Sequence, residues 1–173
     1  MRELEKTKEE RGIMASLRRV QLDRQDTRAF DAYRRLGVVY DGVGRATAVL
    51  YAAHAAHEDS AGKLNFGGSC HRLTTNHARF PRDEKGKSSF DARFRRISAC
   101  RDRDELAARL RQVLPLLRQE GIGLDYVRLY RDLRWWDDYA DDIRWRWSQS
   151  YWGGPVESGR RSEATELRST EAT

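Results

Sequence analysis

The sequence predicts an all-α fold: a helical bundle, in one lobe or two, followed by a disordered C-terminal tail. Three observations favour this fold class. Apolar residues recur with the helical period, and the strict alternation typical of strands is scarce. Four amphipathic segments in the second half are joined by short connections, which is typical of antiparallel bundles. The last residues, 156–173, are polar and lack aromatic side chains, a composition typical of disorder.

The first half is predicted to be helical with glycine-rich and polar interruptions. Gly62, Gly67 and Gly68 fall within one short stretch, which indicates a loop. In order, we predict helices over about residues 3–20, 27–36 and 45–57, a loop over 58–69 and a short helix over about 70–77. The polar run from Pro81 to Lys87 is predicted to be a linker, with a lobe boundary near 81–87.

The second half shows clearer periodicity. Phe90, Phe94 and Ile97 define the buried stripe of one helix. The next helix begins at the acids Asp102 and Asp104, which suit a cap and a first turn, and ends at Gly121. Its buried stripe comprises Leu106, Leu110, Val113, Leu114 and Leu117. Pro115 lies inside this pattern and predicts a kink.

Two further helices follow. Asp125 caps a helix that carries Tyr126, Leu129, Tyr130, Leu133 and Trp136. The last helix starts near Asp137, ends at Gly153-Gly154-Pro155 and is predicted to bury Tyr139, Ile143, Trp147 and Tyr151. The predicted organisation is therefore a charged helix start (residues 1–12), an all-helical basic domain (13–152) and a disordered tail (153–173).

Composition predicts a polyanionic partner. The chain carries a formal net charge of +6, and arginine occurs 28 times against five lysines. Residues 13–152 hold 26 basic and 19 acidic side chains, so the folded body is basic and suits nucleic acid. Guanidinium groups also match phosphate oxygens well. A GC-rich genome would raise the arginine share without any function, so the ratio alone leaves both explanations open.

Other features limit the function classes. The two cysteines, Cys70 and Cys100, are too few for a disulfide framework and suit a reduced cytoplasm. No apolar run approaches the roughly 20 residues of a membrane span. The charged start is unlike a signal peptide. We therefore predict a cytoplasmic protein with no membrane association.

Helical spacing places several arginines away from the predicted buried stripes. Arg93 and Arg96 share one flank of their helix, with Arg95 opposite. Arg111 and Arg118 share a face two turns apart, about 10 Å along the axis. Arg144 and Arg146 flank Trp145 on the outer side of the last helix. We interpret these residues as a track that binds phosphates without reading bases. The alternative is a set of solvated faces paired with neighbouring acids, such as Arg128 with Asp132.

The sequence gives little support for a catalytic site or a metal site. His54, His57, Cys70, His71 and His77 could be imagined as zinc ligands, but no Cys-x-x-Cys pair accompanies them. The acids Asp137, Asp138, Asp141 and Asp142 could hold magnesium in a nuclease, although acids in a first helical turn more often cap the backbone. We predict no catalytic residue, metal or cofactor.

The tryptophans are predicted to be core residues by their spacing, except for Trp145. Trp145 projects between two arginines, where it could stack on a base or anchor a partner-protein interface. A second functional class also remains open, a free-standing helical DNA-binding regulator. In that case Gly121-Ile122-Gly123 would form the turn before a recognition helix within Leu110–Leu133.

Six segments in order, over about residues 15–152, resemble the CasB family, the small subunit of the type I-E CRISPR surveillance complex Cascade. The segments are SLRRV (Ser16 to Val20), LYAAH (Leu50 to His54), FGGSCHRL (Phe66 to Leu73), DARFRRI (Asp91 to Ile97), LAARLRQVLPLLRQEGIGLDYVRLYRDLRWWDD (Leu106 to Asp138) and IRWRWSQSYW (Ile143 to Trp152). The chain departs from the family pattern at Ala92 and Trp145, where the family often has arginine, and at Pro115.

The resemblance implies an all-helical, non-catalytic subunit that acts in antiviral defence. It implies two copies per crRNA-containing complex, which contact each other, the backbone subunits and the large subunit. The copies would bind the target DNA strand and the displaced strand and stabilise the R-loop. By motif position, the resemblance implies basic-patch roles for Arg18, Arg19, Arg93, Arg111, Arg118, Arg134 and Arg146.

Overall fold

The computed structural model describes residues 2–20, 27–54, 63–75 and 84–153 of the chain. The predicted tail from residue 154 onward, and the histidines His57 and His77, lie outside these ranges. Within them the regular structure is helical, which confirms the all-α prediction. The elements are α1 (Arg2–Arg18), a 3-10 turn (Thr27–Ala29), α2 (Phe30–Arg35), α3 (Gly42–His54), α4 (Phe66–Thr75), α5 (Glu84–Ser98), α6 (Arg103–Gln119), α7 (Tyr126–Arg134) and α8 (Trp136–Trp152).

Local capping explains where α6 and α7 begin and where α6 ends. The Asp102 side chain accepts a hydrogen bond from the backbone N–H of Glu105 at 2.8 Å, and Asp125 accepts one from Arg128 at 2.9 Å. Each bond satisfies a backbone donor that has no partner within the helix. Gly121 follows α6 with φ 65°, a left-handed conformation that glycine adopts without strain. All three residues have the roles that the sequence predicted.

The core divides into two hydrophobic clusters that meet in α3. The larger cluster uses Val43 and Leu50 of α3 and the apolar stripes of α4 to α8. The smaller one packs Val49 and Ala52, on the other side of α3, against α1 and α2. Residues from before and after the segment 81–87, Phe66 and Phe94 among them, lie in the same cluster. The division of the core therefore runs through α3 and not through the predicted linker, whose residues 84–87 belong to α5.

The loop predicted over 58–69 is wrong from Phe66 onward, where α4 begins. Asn65 accepts a hydrogen bond from the backbone N–H of Gly68 at 2.8 Å and so caps the helix. Gly67 is buried where α4 crosses α8, and a Cβ on it would lie 2.7 Å from the carbonyl carbon of Trp147. The glycine that suggested a loop is a close-approach residue within a helix.

Other differences concern α8. Tyr139, predicted to be buried, is 57% exposed, because its non-helical dihedrals (φ −131°, ψ 34°) interrupt the helix and with it the face expected from regular spacing. Trp136 and Trp147 are fully buried as predicted, but Trp135 and Trp152 are about half exposed since they lie at the two ends of α8. Trp145 is exposed, as predicted.

Helix α6 continues through Pro115 for four further residues.

Candidate nucleic-acid interface

Two arginines connect the end of α1 to α3 and α6. The guanidinium of Arg111 donates to the backbone carbonyl oxygen of Arg18 at 2.8 Å, although the two residues are 93 positions apart. Arg18 in turn donates through Nε to the carbonyl oxygen of Ala52 at 2.8 Å. Both acceptors are carbonyls in the last turns of helices, where the helix dipole favours positive charge. Arg19 follows Arg18 directly and is exposed.

Arg118 extends this group along α6. It is exposed, and its charge contributes to lowering the pKa of His54 near the end of α3, after the larger effect of burial. Arg19 and Arg118 have no side-chain hydrogen bond or ion pair recorded within the described part of the chain. We call Arg18, Arg19, Arg111 and Arg118 the cationic patch. The bonds from Arg18 and Arg111 named above go to carbonyl oxygens, which carry no formal charge.

Arg93 and Arg96 lie on α5, and both are exposed. Arg96 donates through Nε to the carbonyl oxygen of Ala92 at 3.2 Å. That bond leaves the terminal nitrogens of Arg96 available for another ligand. Among the described residues, no contact joins either side chain to the cationic patch. The structure therefore places these two arginines on the surface, without showing that they continue the same track.

Arg144 and Arg146 have protein partners. Arg144 pairs with Asp141 at 2.7 Å and donates to the carbonyl oxygen of Cys100 at 2.8 Å. Its guanidinium also lies 5.3 Å from the ring centroid of Trp136. Arg146 is half exposed and pairs with Asp132 at 3.2 Å. These contacts hold Arg144 against the fold and give Arg146 one fixed partner.

Asp132 is one of the few charged side chains in the core. It is 5% exposed and accepts a hydrogen bond from the indole nitrogen of Trp147 at 2.8 Å, in addition to its pair with Arg146. Burial raises the pKa of Asp132, while the bonds from Trp147 and Arg146 oppose that effect. The sequence suggested Arg128 as its partner at i,i+4 spacing. In the fold Asp132 faces α8 instead, so its bonds are made with that helix.

Arg134 lies at the junction of α7 and α8. Its guanidinium is 5.9 Å from the ring centroid of Trp135, and Trp135 in turn contacts the ring of Tyr139 edge to face at 5.9 Å. Arg134 also contributes, as the smallest of several causes, to lowering the pKa of Asp41, for which the backbone hydrogen bond from Gly44 is the largest. The guanidinium therefore lies beside exposed aromatic rings, apart from the contacts that define the cationic patch.

Several of the residues considered for metal binding make contacts within the fold. The Nε2 of His54 bonds to the carbonyl oxygen of Ile122 at 2.7 Å, and the Nδ1 of His71 bonds to that of Tyr151 at 2.7 Å. Cys70 is buried in the core. Asp137 accepts from the backbone N–H of Arg103 at 3.0 Å. Across the described ranges, no three histidine, cysteine or acidic side chains are grouped so that they could hold a metal ion.

Sequence reasoning missed a groove between α5 and α8 with a volume of about 460 Å³. The guanidinium of Arg95 lies there, 5.4 Å from the ring centroid of the half-exposed Trp152. Helical spacing placed Arg95 opposite Arg93 and gave no reason to link it to Trp152, which is 57 positions away. Only the crossing of the two helices brings them together.

No helix in the described part of the chain combines the length and apolarity needed to cross a membrane. A family model described as CRISPR-associated protein Cse2 matches residues 13–152. The crystal structure of CasB from Thermobifida fusca matches with a TM-score of 0.58 and 22% sequence identity, covering 81% of this chain and 83% of that chain. At this identity the match shows the fold alone. A search of curated proteins found no match.

Proposed function

Because the chain belongs to the CRISPR-associated Cse2 family, we propose that it is a non-catalytic subunit of the crRNA-guided surveillance complex Cascade. In this role it binds nucleic-acid backbone and stabilises the R-loop, contacting the target DNA and the displaced single strand. Its partners are the backbone and large subunits of that complex, the crRNA they hold and a second copy of itself. It acts in the cytoplasm, in antiviral defence.

The cationic patch is the observation that supports this function best. It gathers arginines from the end of α1 and from α6 around one contact, the 2.8 Å bond from Arg111 to the carbonyl oxygen of Arg18. Arg19, next to Arg18 in sequence, and Arg118, two turns from Arg111 on α6, are both exposed. Such a group suits phosphates on neighbouring nucleotides, because it supplies charge and donors without any element that enters a groove to read bases.

Modest phosphate binding is enough for the proposed role. The heteroduplex formed in an R-loop is about as stable as the DNA duplex that it replaces, so the exchange is nearly balanced. Each phosphate neutralised adds to affinity and steepens its dependence on salt, by about 0.7 in the logarithmic slope for single strands and about 0.9 for duplex DNA. A few arginines can therefore determine how long the R-loop persists.

The test compares two doubly substituted chains in the assembled complex. Arg19→Gln with Arg118→Gln removes two charges from the cationic patch. We expect normal assembly, a shorter R-loop lifetime and a salt slope smaller by about 1.4 to 1.8, since two phosphate contacts are lost. R-loop lifetime is measured by the release of labelled DNA, and the slope from affinities at several salt concentrations.

Arg103→Gln with Arg109→Gln is the matched control. It removes the same charge, but from arginines paired with Asp137 and Glu105 at 3.9 and 3.4 Å. This control should keep the wild-type lifetime and slope. If both doubly substituted chains behave alike, the cationic patch does not bind the strand. If the wild-type chain elutes as a small dimer without RNA when purified from its host, the chain is not a subunit of the complex.

A further inference from the structure

We propose that the groove between α5 and α8 accepts an unstacked base of single-stranded nucleic acid, with Trp152 as the stacking surface. This inference rests on the proposed function, since it assumes that a single strand passes the subunit. The inference adds a second kind of contact to the proposed function. The cationic patch would hold phosphates, whereas the groove would hold a base.

The shape of the groove follows from residue size along the two helices. Helix α5 contributes Phe94, Arg95 and Ser98, the turn after it contributes Ala99, and α8 contributes Arg144, Ser148 and Trp152. On α8 the small Ser148 lies between the long side chains of Arg144 and Trp152, and it shares the groove with the small Ser98 and Ala99. Arg144 and Trp152 are eight residues apart, about 12 Å along α8. The resulting space of about 460 Å³ lies within the range of small-ligand sites.

The Trp152 ring is held in place while a substantial part of it stays exposed. Tyr151 meets it edge to face at 4.7 Å, and Phe94 does so at 6.5 Å. Its exposure is nevertheless 48%. A large aromatic ring that is supported by neighbours and open to solvent is the feature on which bases stack in single-strand binding proteins, without sequence preference.

The positive charge of the groove favours nucleic acid over a neutral or basic partner. Arg95 is exposed, lies over Trp152 and has no carboxylate partner among the residues that the structure describes. The charge of Arg144 at the other end is balanced by Asp141. The groove is therefore positive at the end where the ring lies, so a phosphate attached to the stacked base would meet Arg95.

Two residues of the groove wall carry hydrogen-bonding groups without a partner among the described residues. The hydroxyl of Ser98 and the Nε–H of Arg144 are buried, and neither has a hydrogen-bond partner within the described residues. Buried donors are normally satisfied by protein, ligand or ordered water. Both atoms are covered in this structure, so an occupant of the groove reaches them only after a movement of the Ser98 or Arg144 side chain.

The test separates base binding from phosphate binding. Fluorescence anisotropy gives the affinity of the full-length chain for an oligodeoxythymidine of about 20 nucleotides and for an abasic oligomer with the same number of phosphates. We expect the wild-type chain to bind the thymidine oligomer about tenfold more tightly, a ratio within the range known for one stacked base. Trp152→Ala should bring that ratio close to one without weakening binding of the abasic oligomer.

Trp145→Ala is the matched control, because Trp145 is an exposed tryptophan on the same helix outside the groove. It should preserve the ratio, as should Trp152→Phe, which keeps an aromatic ring. Arg95→Gln leaves the ring intact and should weaken binding of both oligomers without changing their ratio, because both carry phosphates. If Trp152→Ala proves to be unfolded, Trp152→Leu, which keeps apolar volume without an aromatic ring, takes its place and should likewise bring the ratio close to one. Equal wild-type affinities for the two oligomers would overturn the base site while leaving the phosphate role intact. Loss of the ratio in Trp145→Ala alone would overturn it too. Failure to bind either oligomer at low salt would refute the proposed function as well.

Discussion

Substitution of Gly67 by alanine tests whether the contact between α4 and α8 is as close as the fold requires. An alanine methyl would meet the carbonyl oxygen of Trp147 and lie 2.7 Å from its carbonyl carbon and 2.9 Å from its Cα. Carbon atoms in contact are normally about 3.5 to 4.0 Å apart. The obstacle is backbone, which cannot rotate away, so the helices must separate by about 1 Å.

The expected cost follows from that separation. Overpacking a core usually destabilises by about 1 to 3 kcal/mol, and an immovable backbone obstacle favours the upper end. Alanine regains about 1 kcal/mol from its higher helix propensity. We therefore expect Gly67→Ala to lower the free energy of unfolding by about 2 kcal/mol, or Tm by roughly 4 to 8 °C for a chain of this size.

Urea titration followed by circular dichroism measures the effect. Gly12→Ala is the control, since Gly12 lies within α1 and a Cβ there meets no atom within 4 Å. It should stabilise the protein by about 1 kcal/mol through helix propensity alone. If Gly67→Ala unfolds at the same urea concentration as the wild type, or at a higher one, α4 and α8 are not in the contact described above.

Three further predictions concern single residues. Asp125→Ala removes the cap of α7 and should lower the free energy of unfolding by about 1 kcal/mol in urea titration; an unchanged value would mean that the cap is dispensable. Burial lowers the pKa of His54 below its usual 6.5, so the unfolded chain takes up this proton first and stability should fall as pH drops below about 6.5. His54→Gln, which keeps a donor for the Ile122 carbonyl, should flatten that dependence in urea titrations across pH, and an identical pH profile would contradict the assignment. Burial also raises the pKa of Cys70 and brings that of Cys100 to about 11, so iodoacetamide at pH 8 should alkylate neither thiol until the chain unfolds, as mass spectrometry would show.

The sequence predicted the features that depend on neighbours along the chain. The caps Asp102 and Asp125, the glycine after α6 and the buried stripes of α5 to α7 were all identified from spacing, because helix caps and amphipathic faces are local properties. Where the predicted loop is wrong, a tertiary contact determines the structure. Gly67 suggested a loop on its own propensity, yet the approach of α8 favours a glycine inside α4.

The candidate site shows the same limit. Helical spacing placed Arg111 and Arg118 on one face, but nothing in the sequence pairs Arg111 with the end of α1. Helical spacing places Arg144 and Arg146 on the outside of α8. It does not predict that they form ion pairs with Asp141 and Asp132 in the folded chain. Arg134 and Arg93 are exposed, and their binding roles stay predictions.

The division of the core at α3 has a thermodynamic consequence. Arg18 and Arg19 belong to the side packed around α1, while Arg111 and Arg118 belong to the larger side. A strand bound by all four arginines would connect the two hydrophobic clusters. Because a ligand stabilises the state that binds it, the strand would oppose local unfolding of the smaller cluster. Amide protons of α1 and α2 would then exchange with solvent more slowly when nucleic acid is bound. The bound strand would in this way make the subunit itself more rigid.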